Sequence, residues 1–353
     1  MSAFFSSKHT SLVPYVPGEQ LNDKKYIKLN TNESPFPPSP GVLEAVSGEA
    51  SRLMLYPDPD CKPLLSALSK VYGVDESCIV VTNGSDEILN FAFLAFCDDE
   101  HPVAFANHTY GFYKVFAGLY NLPYEEIPLT EDFRIRVEDY IGINKNIFIA
   151  NPNAPTGIAL PLSDIERIVA SNSDNVVVID EAYVDFGGES AVGLINKYKN
   201  LLVTQTFSKS RSLAGGRLGM GFASPELIAD INTLRYSTNP YNINRLTMAA
   251  GVAALEEDGY YKDNCKKIID SREYTTDALR KLGFDVLESS TNFVFAKCDR
   301  IDGGELYARL RERGILIRHF TKPSIEQYNR ITVGTKEQME ALISNVKEIL
   351  EEK

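Results

Sequence analysis

Residues 78–96 read CIVVTNGSDEILNFAFLAF. The first five are apolar without alternation, the next few are small and polar, and DEILNFAFLAF (86–96) repeats its apolar positions at helical spacing. A continuous apolar run is the mark of a strand buried on both faces, and such strands belong to mainly parallel sheets with helices on each side. The pattern recurs outward from this unit. A helix is expected near 61–72, a strand at PVAFA (102–106), a helix at YGFYKVFAGLY (110–120), and further strands at NIFIA (146–150), VVVID (176–180), LLVTQTF (201–207) and GMGFA (219–223). The expected fold class is α/β, a mainly parallel sheet with helices on both faces.

The register changes after residue 240. A long helical region, 243–282, precedes DVLESSTNFVFAKC (285–298), a helix near 304–313, ILIRHF (315–320), NRITVG (329–334) and a terminal helix. That order describes a smaller α+β domain. SPFPPSPG (34–41) reads as an extended arm. The expected division is an N-terminal arm (1–40) packing on the small domain, a large domain (41–245) and a small C-terminal domain (246–353).

The chain has 353 residues, 44% hydrophobic, with 36 Lys and Arg against 48 Asp and Glu, a net charge of −12. At this size about three quarters of the unfolded surface can be buried without disulfides or metals. The acidic balance offers no footprint for a nucleic-acid backbone, and no apolar run approaches the roughly 18 residues of a spanning helix. No signal-peptide core precedes the fold, so a cytoplasmic protein without membrane or nucleic-acid partners is expected. The five cysteines are never closer than 17 residues, which argues against a disulfide framework or a zinc site. None of the four histidines stands in a metalloprotease or triad context, so chemistry is not expected to rest on histidine.

In an open α/β sheet ligands bind beyond the carboxyl ends of the strands. Three such ends are unusual. The first runs into Asn83-Gly84-Ser85-Asp86-Glu87, a turn whose free N–H groups suit an anion; taken alone, it reads equally well as an ordinary turn with Asp86 as a favourable first-turn charge. VVVID ends on Asp180, a carboxylate that is costly to bury unless it caps, pairs or meets a protonated ring nitrogen. LLVTQTF leads into Ser208-Lys209 and on to Arg217, and a lysine at the mouth of a buried sheet suits an amine nucleophile.

NPNAPTG (151–157), VVVIDEAYVDF (176–186) and FSKSRSLAGGRLGMGF (207–222) together resemble the pyridoxal-phosphate aminotransferases of fold type I. The resemblance extends through LVPYVPGEQ (12–20), KLNTNESPF (28–36), LYPDPDC (55–61), TNGSDEIL (82–89), HTYGFY (108–113), ILIRHF (315–320) and NRITVGT (329–335), in the order and spacing of the histidinol-phosphate aminotransferase family. It implies that pyridoxal 5′-phosphate is the cofactor, that Lys209 carries it covalently and moves the substrate proton, and that Asp180 keeps its ring nitrogen protonated. Tyr183 would donate to its phenolic oxygen and Tyr110 would stack on its ring. Gly84, Ser85, Asp86, Thr206, Ser208 and Arg217 would cup its phosphate, with Tyr56 reaching that phosphate from the second subunit of a homodimer.

One position departs from the pattern. The family's asparagine before PTG is Ala154 here, so its hydrogen bond is absent or replaced, with Asn153 or a water as candidates. Arg330 and Arg318 would grip the substrate anion, and Tyr15 and Tyr241 would close over it. The implied reaction interconverts histidinol phosphate and 2-oxoglutarate with imidazole-acetol phosphate and glutamate, ping-pong via pyridoxamine phosphate. The amino donor and the phosphorylated keto acceptor would be its small-molecule partners. The same cofactor residues would serve an aromatic amino-acid transaminase or a phospho-amino-acid decarboxylase. A transcription regulator built on such a domain would need an added DNA-binding segment, which the residues ahead of the expected core do not resemble.

Overall fold

The computed structural model describes residues 2, 4–10, 12–21 and 23–352. Its thirteen strands are β1 (Ile27–Lys28), β2 (Ile79–Thr82), β3 (Val103–Ala106), β4 (Tyr124–Ile127), β5 (Asn146–Ala150), β6 (Val177–Asp180), β7 (Leu201–Thr206), β8 (Gly219–Ala223), β9 (Asp285–Val286), β10 (Phe293–Lys297), β11 (Ile315–Leu316), β12 (Arg318–His319) and β13 (Asn329–Thr332). The helices are α1 (Pro40–Ala50), α2 (Lys62–Tyr72), α3 (Ser85–Phe96), α4 (Phe112–Tyr120), α5 (Leu162–Ser171), α6 (Pro225–Thr238), α7 (Arg245–Glu256), α8 (Asp258–Lys281), α9 (Gly303–Glu312) and α10 (Lys336–Glu351).

The large sheet has seven strands in the order β2-β8-β7-β6-β5-β3-β4, parallel except for β8, which runs against both neighbours. Strands with two buried faces explain the unbroken apolar runs, because alternate residues serve opposite layers. Ile147, Ile149, Val177, Ile179 and Val203 enter one core, while Phe148, Val178 and Leu202 enter the other. β4 escaped the sequence reading for a physical reason. As the edge strand it reads YEEI, and its Glu125 and Glu126 face outward to ion pairs with Lys145 and Lys114.

The helical stretch 243–282 is two helices that break at Glu257. Ala250, Ala253, Ala254 and Leu255 of α7 belong to the core under the large sheet, whereas Cys265, Ile268 and Leu279 of α8 belong to a separate C-terminal core. Gly251 permits the close approach of α7, since a Cβ there would fall 2.5 Å from the Leu218 side chain. ILIRHF also divides, around Ile317, into two short strands in different sheets. β12-β13-β10-β9 form an antiparallel sheet, and β11 pairs in parallel with β1 of the arm.

The arm is thus stitched to the C-terminal body. Leu29 is buried in its core, donates to the Leu316 carbonyl at 2.7 Å and accepts from the Thr332 N–H at 2.9 Å. Away from the arm, Arg272 of α8 ties the loop after β6 to the segment before β10, donating at 2.7 Å to the carbonyls of both Phe186 and Thr291. No helix among the described residues is long and apolar enough to cross a membrane.

Replacing Leu29 by alanine removes a core side chain and should lower stability by about 3 kcal/mol in urea unfolding. Limited proteolysis should then cut the arm ahead of the rest of the chain; an arm that stays as resistant as in the wild type would contradict this account of its anchoring.

Candidate active site

The carboxyl ends of β2, β6 and β7 open on one cavity of about 350 Å³. Its walls include Ser85, Asp86, Tyr110, Asp180, Tyr183, Thr206, Ser208, Lys209 and Arg217, so nine residues expected from sequence converge there. Thr31 and Glu33 of the arm and Ala154 also line it.

Asp180 ends β6 with 5% of its surface exposed. Its carboxylate accepts from the Tyr113 hydroxyl at 3.0 Å and from Thr204 Oγ1 at 3.3 Å. Burial pushes its pKa up to about 6, against the pull of the Tyr113 and Thr204 hydroxyls and the Ala182 N–H, with Asp86 adding a smaller upward push. The next residue, Glu181, turns away from the cavity to Ser190, Ala191 and Gln205, and burial raises it to about 7. A buried carboxylate at the floor of a cavity is matched by a cation brought in from outside.

At the opposite end, α3 begins at Gly84 without a side-chain cap, leaving first-turn N–H groups for a ligand. Two glycines make this turn possible. Gly84 has φ +77° and a Cβ on it would meet the Arg217 guanidinium at 2.5 Å; a Cβ on Gly219 of β8 would fall 2.4 Å from the Gly84 and Ser85 backbone. Arg217 itself sits at φ 52° and reaches Asp86 Oδ2 at 3.4 Å. Asp86 also accepts from the Tyr110 hydroxyl at 2.7 Å, while Thr206 Oγ1 donates to Ser208 Oγ at 2.9 Å. An uncapped helix terminus, hydroxyls and a guanidinium at one end, with a carboxylate at the other, fit pyridoxal phosphate by charge at both its phosphate and its ring nitrogen.

Lys209 Nζ lies between these ends, donating to the Thr31 carbonyl at 3.3 Å and standing 5.8 Å from the centre of the Tyr183 ring. The Tyr183 hydroxyl receives Asn32 Nδ2 at 2.9 Å. Arg318 and Arg330 are direct cross-strand partners on β12 and β13. Neither makes an ion pair among the described residues: Arg330 donates to the Asn30 carbonyl at 3.1 Å, and Arg318 to the carbonyls of Val16 and Pro17. Burial pushes the Arg330 guanidinium down, and the phenols of Tyr183, Tyr15 and Tyr110 oppose that push. Each guanidinium also lies over an aromatic ring, Arg330 5.3 Å from the Phe293 centre and Arg318 5.7 Å from that of Phe320, and neither lines the cavity.

Asn153 is a correction to the expected set. Its amide donates to the His108 carbonyl and Thr156 Oγ1, and its oxygen accepts from Thr109, so it braces the loop outside the cavity. Tyr56 and Tyr241 also lie outside the cavity wall, stacked on each other at 4.6 Å, with Tyr56 78% exposed. Tyr15 packs on Phe112 at 4.5 Å. The sequence reading missed Tyr113 and Thr204, which hold Asp180, and Thr31 and Asn32 of the arm, which meet Lys209 and Tyr183. Tyr113 lay within the quoted HTYGFY and Asn32 within KLNTNESPF, but a role for either requires the partner that folding supplies.

The family model for aminotransferase class I and II matches residues 24–346, and the chain belongs to that family. Within it the curated relatives are specific. The histidinol-phosphate aminotransferase of Marinomonas sp. is 51% identical over 98% of this chain and 99% of its own length, and that of Brachyspira hyodysenteriae is 47% identical over 99% of each. The histidinol-phosphate aminotransferase of Sinorhizobium meliloti, solved in complex with pyridoxal-5′-phosphate, superposes with a TM-score of 0.91 at 25% identity, covering 100% of this chain and 99% of that one. The chain is thus a member of the histidinol-phosphate aminotransferase branch of the family.

Without a bound cation, Asp180 binds its proton more tightly folded than unfolded, so its contribution to stability is lost as pH rises from its ordinary 3.8 to about 6. The stability of Asp180→Asn apoprotein relative to wild type should therefore grow by about 1.4 kcal/mol per pH unit across that window and level off above it. Denaturant unfolding at several pH values measures this; a pH-independent difference would contradict it.

Proposed function

We propose that the chain is a pyridoxal-phosphate-dependent aminotransferase that interconverts histidinol phosphate and 2-oxoglutarate with imidazole-acetol phosphate and glutamate, in histidine biosynthesis. The observation that carries this reading is the single cavity in which Lys209, Asp180 and Tyr183 face an uncapped helix terminus and Arg217. Bound there, the cofactor supplies the electron sink for the charge that develops when the substrate loses its α-proton. The chain's own residues do the rest. Lys209 Nζ would hold the cofactor, and its amine is the base that would take the substrate's α-proton. Asp180 would hold a proton on the ring nitrogen, a role for which its low-dielectric site and two hydroxyl donors suit it.

Tyr110 and Ala154 both contribute cavity wall, and Tyr110 is held by its bond to Asp86. Arg318 and Arg330 bind the substrate's distal anion, a phosphate in one half-reaction and a carboxylate in the other. Tyr15, packed on Phe112, covers this end. The exposed Tyr56, next to the exposed Leu53, Met54 and Leu55, supports a homodimer in which each copy's Tyr56 reaches the other's phosphate cup. A cytoplasmic location belongs to the same reading. So does a division into an arm (1–40), a cofactor-binding body and a C-terminal body, with the boundary taken near Glu257 rather than 245 because α7 packs under the large sheet.

Purified protein loaded with pyridoxal phosphate should absorb in the visible, and borohydride should fix the label on Lys209; Lys209→Ala should lose transamination. A colourless loaded protein would end this reading. The kcat/KM for histidinol phosphate should exceed that for phenylalanine, and the reverse order would move the chain to the aromatic transaminases. Arg318→Ala should raise KM for histidinol phosphate about tenfold, the cost of a charge-assisted bond, and raise it less for glutamate. Equal effects on both substrates would remove Arg318 from phosphate recognition.

A further inference from the structure

Residue 154, where the family's carboxamide would meet the cofactor's phenolic oxygen, is alanine and lines the cavity, while the amide of Asn153 is committed to the loop behind it. Tyr183 is left as the side chain placed to donate at that point. A phenol, however, carries one proton and accepts as readily as it donates, so its direction has to be set.

We propose that Asn32 sets it, as a positioning residue that holds the Tyr183 oxygen as an acceptor on the arm side and so turns the Tyr183 proton into the cavity. The inference rests on the reading of the cavity as a pyridoxal-phosphate site. The direction of the bond follows by counting donors. The Asn32 backbone N–H, which can only donate, occupies Thr332 Oγ1 at 2.9 Å. Thr332 is 2% exposed, and its own hydrogen goes to the Asn32 side chain, again at 2.9 Å. The atom facing Thr332 is therefore the carboxamide oxygen, and the atom 2.9 Å from the Tyr183 oxygen is the NH₂ group. Reversing the amide would leave a buried hydroxyl hydrogen without a partner.

The carboxamide cannot drift from this pose. Asn32 is 1% exposed, sits at φ 56° in the left-handed region that asparagine tolerates, and its carbonyl accepts from Asn292 Nδ2 at 2.9 Å. Thr332 and Asn292 belong to the C-terminal body and Tyr183 to the loop after β6. The donor is thus aimed only when the arm is docked between them. The device substitutes for the missing carboxamide at residue 154 by acting one bond further out.

A donor at the phenolic oxygen favours the form of the bound cofactor with more negative charge there, so weakening the donor raises the pH midpoint of the visible absorbance. Asn32→Gly tolerates the φ and removes the amide; Thr332→Val keeps the amide and frees it to turn over. Each should raise the midpoint of the loaded protein by about half to one pH unit, the scale of one net hydrogen bond. In a Tyr183→Phe background neither should move it further, and Ala154→Asn should return the Asn32→Gly midpoint toward wild type. Shifts that add fully to that of Tyr183→Phe, or an unmoved midpoint in both single variants, would overturn the proposal while leaving the cofactor assignment in place. A wild type with no visible absorbance would overturn both.

Discussion

The carboxylate of Asp180 is the constraint around which the cavity is organised. It stands at the end of a strand buried on both faces, where a lone charge is held against the full cost of leaving water. Two hydroxyls, from Tyr113 on α4 and Thr204 on β7, reduce that cost without removing it. What remains is a carboxyl on the cavity wall whose pKa burial raises to about 6. The neighbouring strand ends then have a defined task. β2 leads into the uncapped helix terminus, β7 ends on Thr206 and leads into Ser208 and Lys209, and the antiparallel β8 begins two residues after Arg217, so Arg217 stands at the same end of the sheet.

The arm joins this arrangement to the C-terminal body. Between Ile27 and Glu33 it pairs with β11, buries Leu29, receives Arg330 at the Asn30 carbonyl, receives Lys209 at Thr31 and reaches Tyr183 through Asn32. Within this seven-residue stretch, Thr31, Asn32 and Asn30 therefore touch Lys209, Tyr183 and Arg330. All three are tied to one short segment instead of to separate loops, which gives the two bodies a common reference.

Much of this was legible in the sequence because it depends on local chemistry. Buried parallel strands show as unbroken apolar runs, and Lys209, Asp180 and the Gly84 turn stand where such runs end. The edge strand β4 was illegible because charged residues protect an exposed edge, so its pattern is that of a loop. Asn153 was misplaced because the preference of a carboxamide for a ligand or for its own loop is decided by which partners stand within 3 Å. Tyr113, Thr204 and Asn32 carried no signal of their own, since their partners lie 67, 24 and 151 positions away.

By itself the sequence determined the α/β class and the strand ends that meet at a site, which follow from periodicity; the lysine, the carboxylate and the arginines were singled out by the family resemblance. Only the tertiary structure decided how each group is placed: which carboxylate faces the cavity and which turns to Gln205, which arginines lack an acidic partner, and which group donates to the Tyr183 hydroxyl. The physical reason is common to all three. Ionisation, pairing and hydrogen-bond direction are properties of an environment, and for a buried group that environment is assembled from residues distant in the chain.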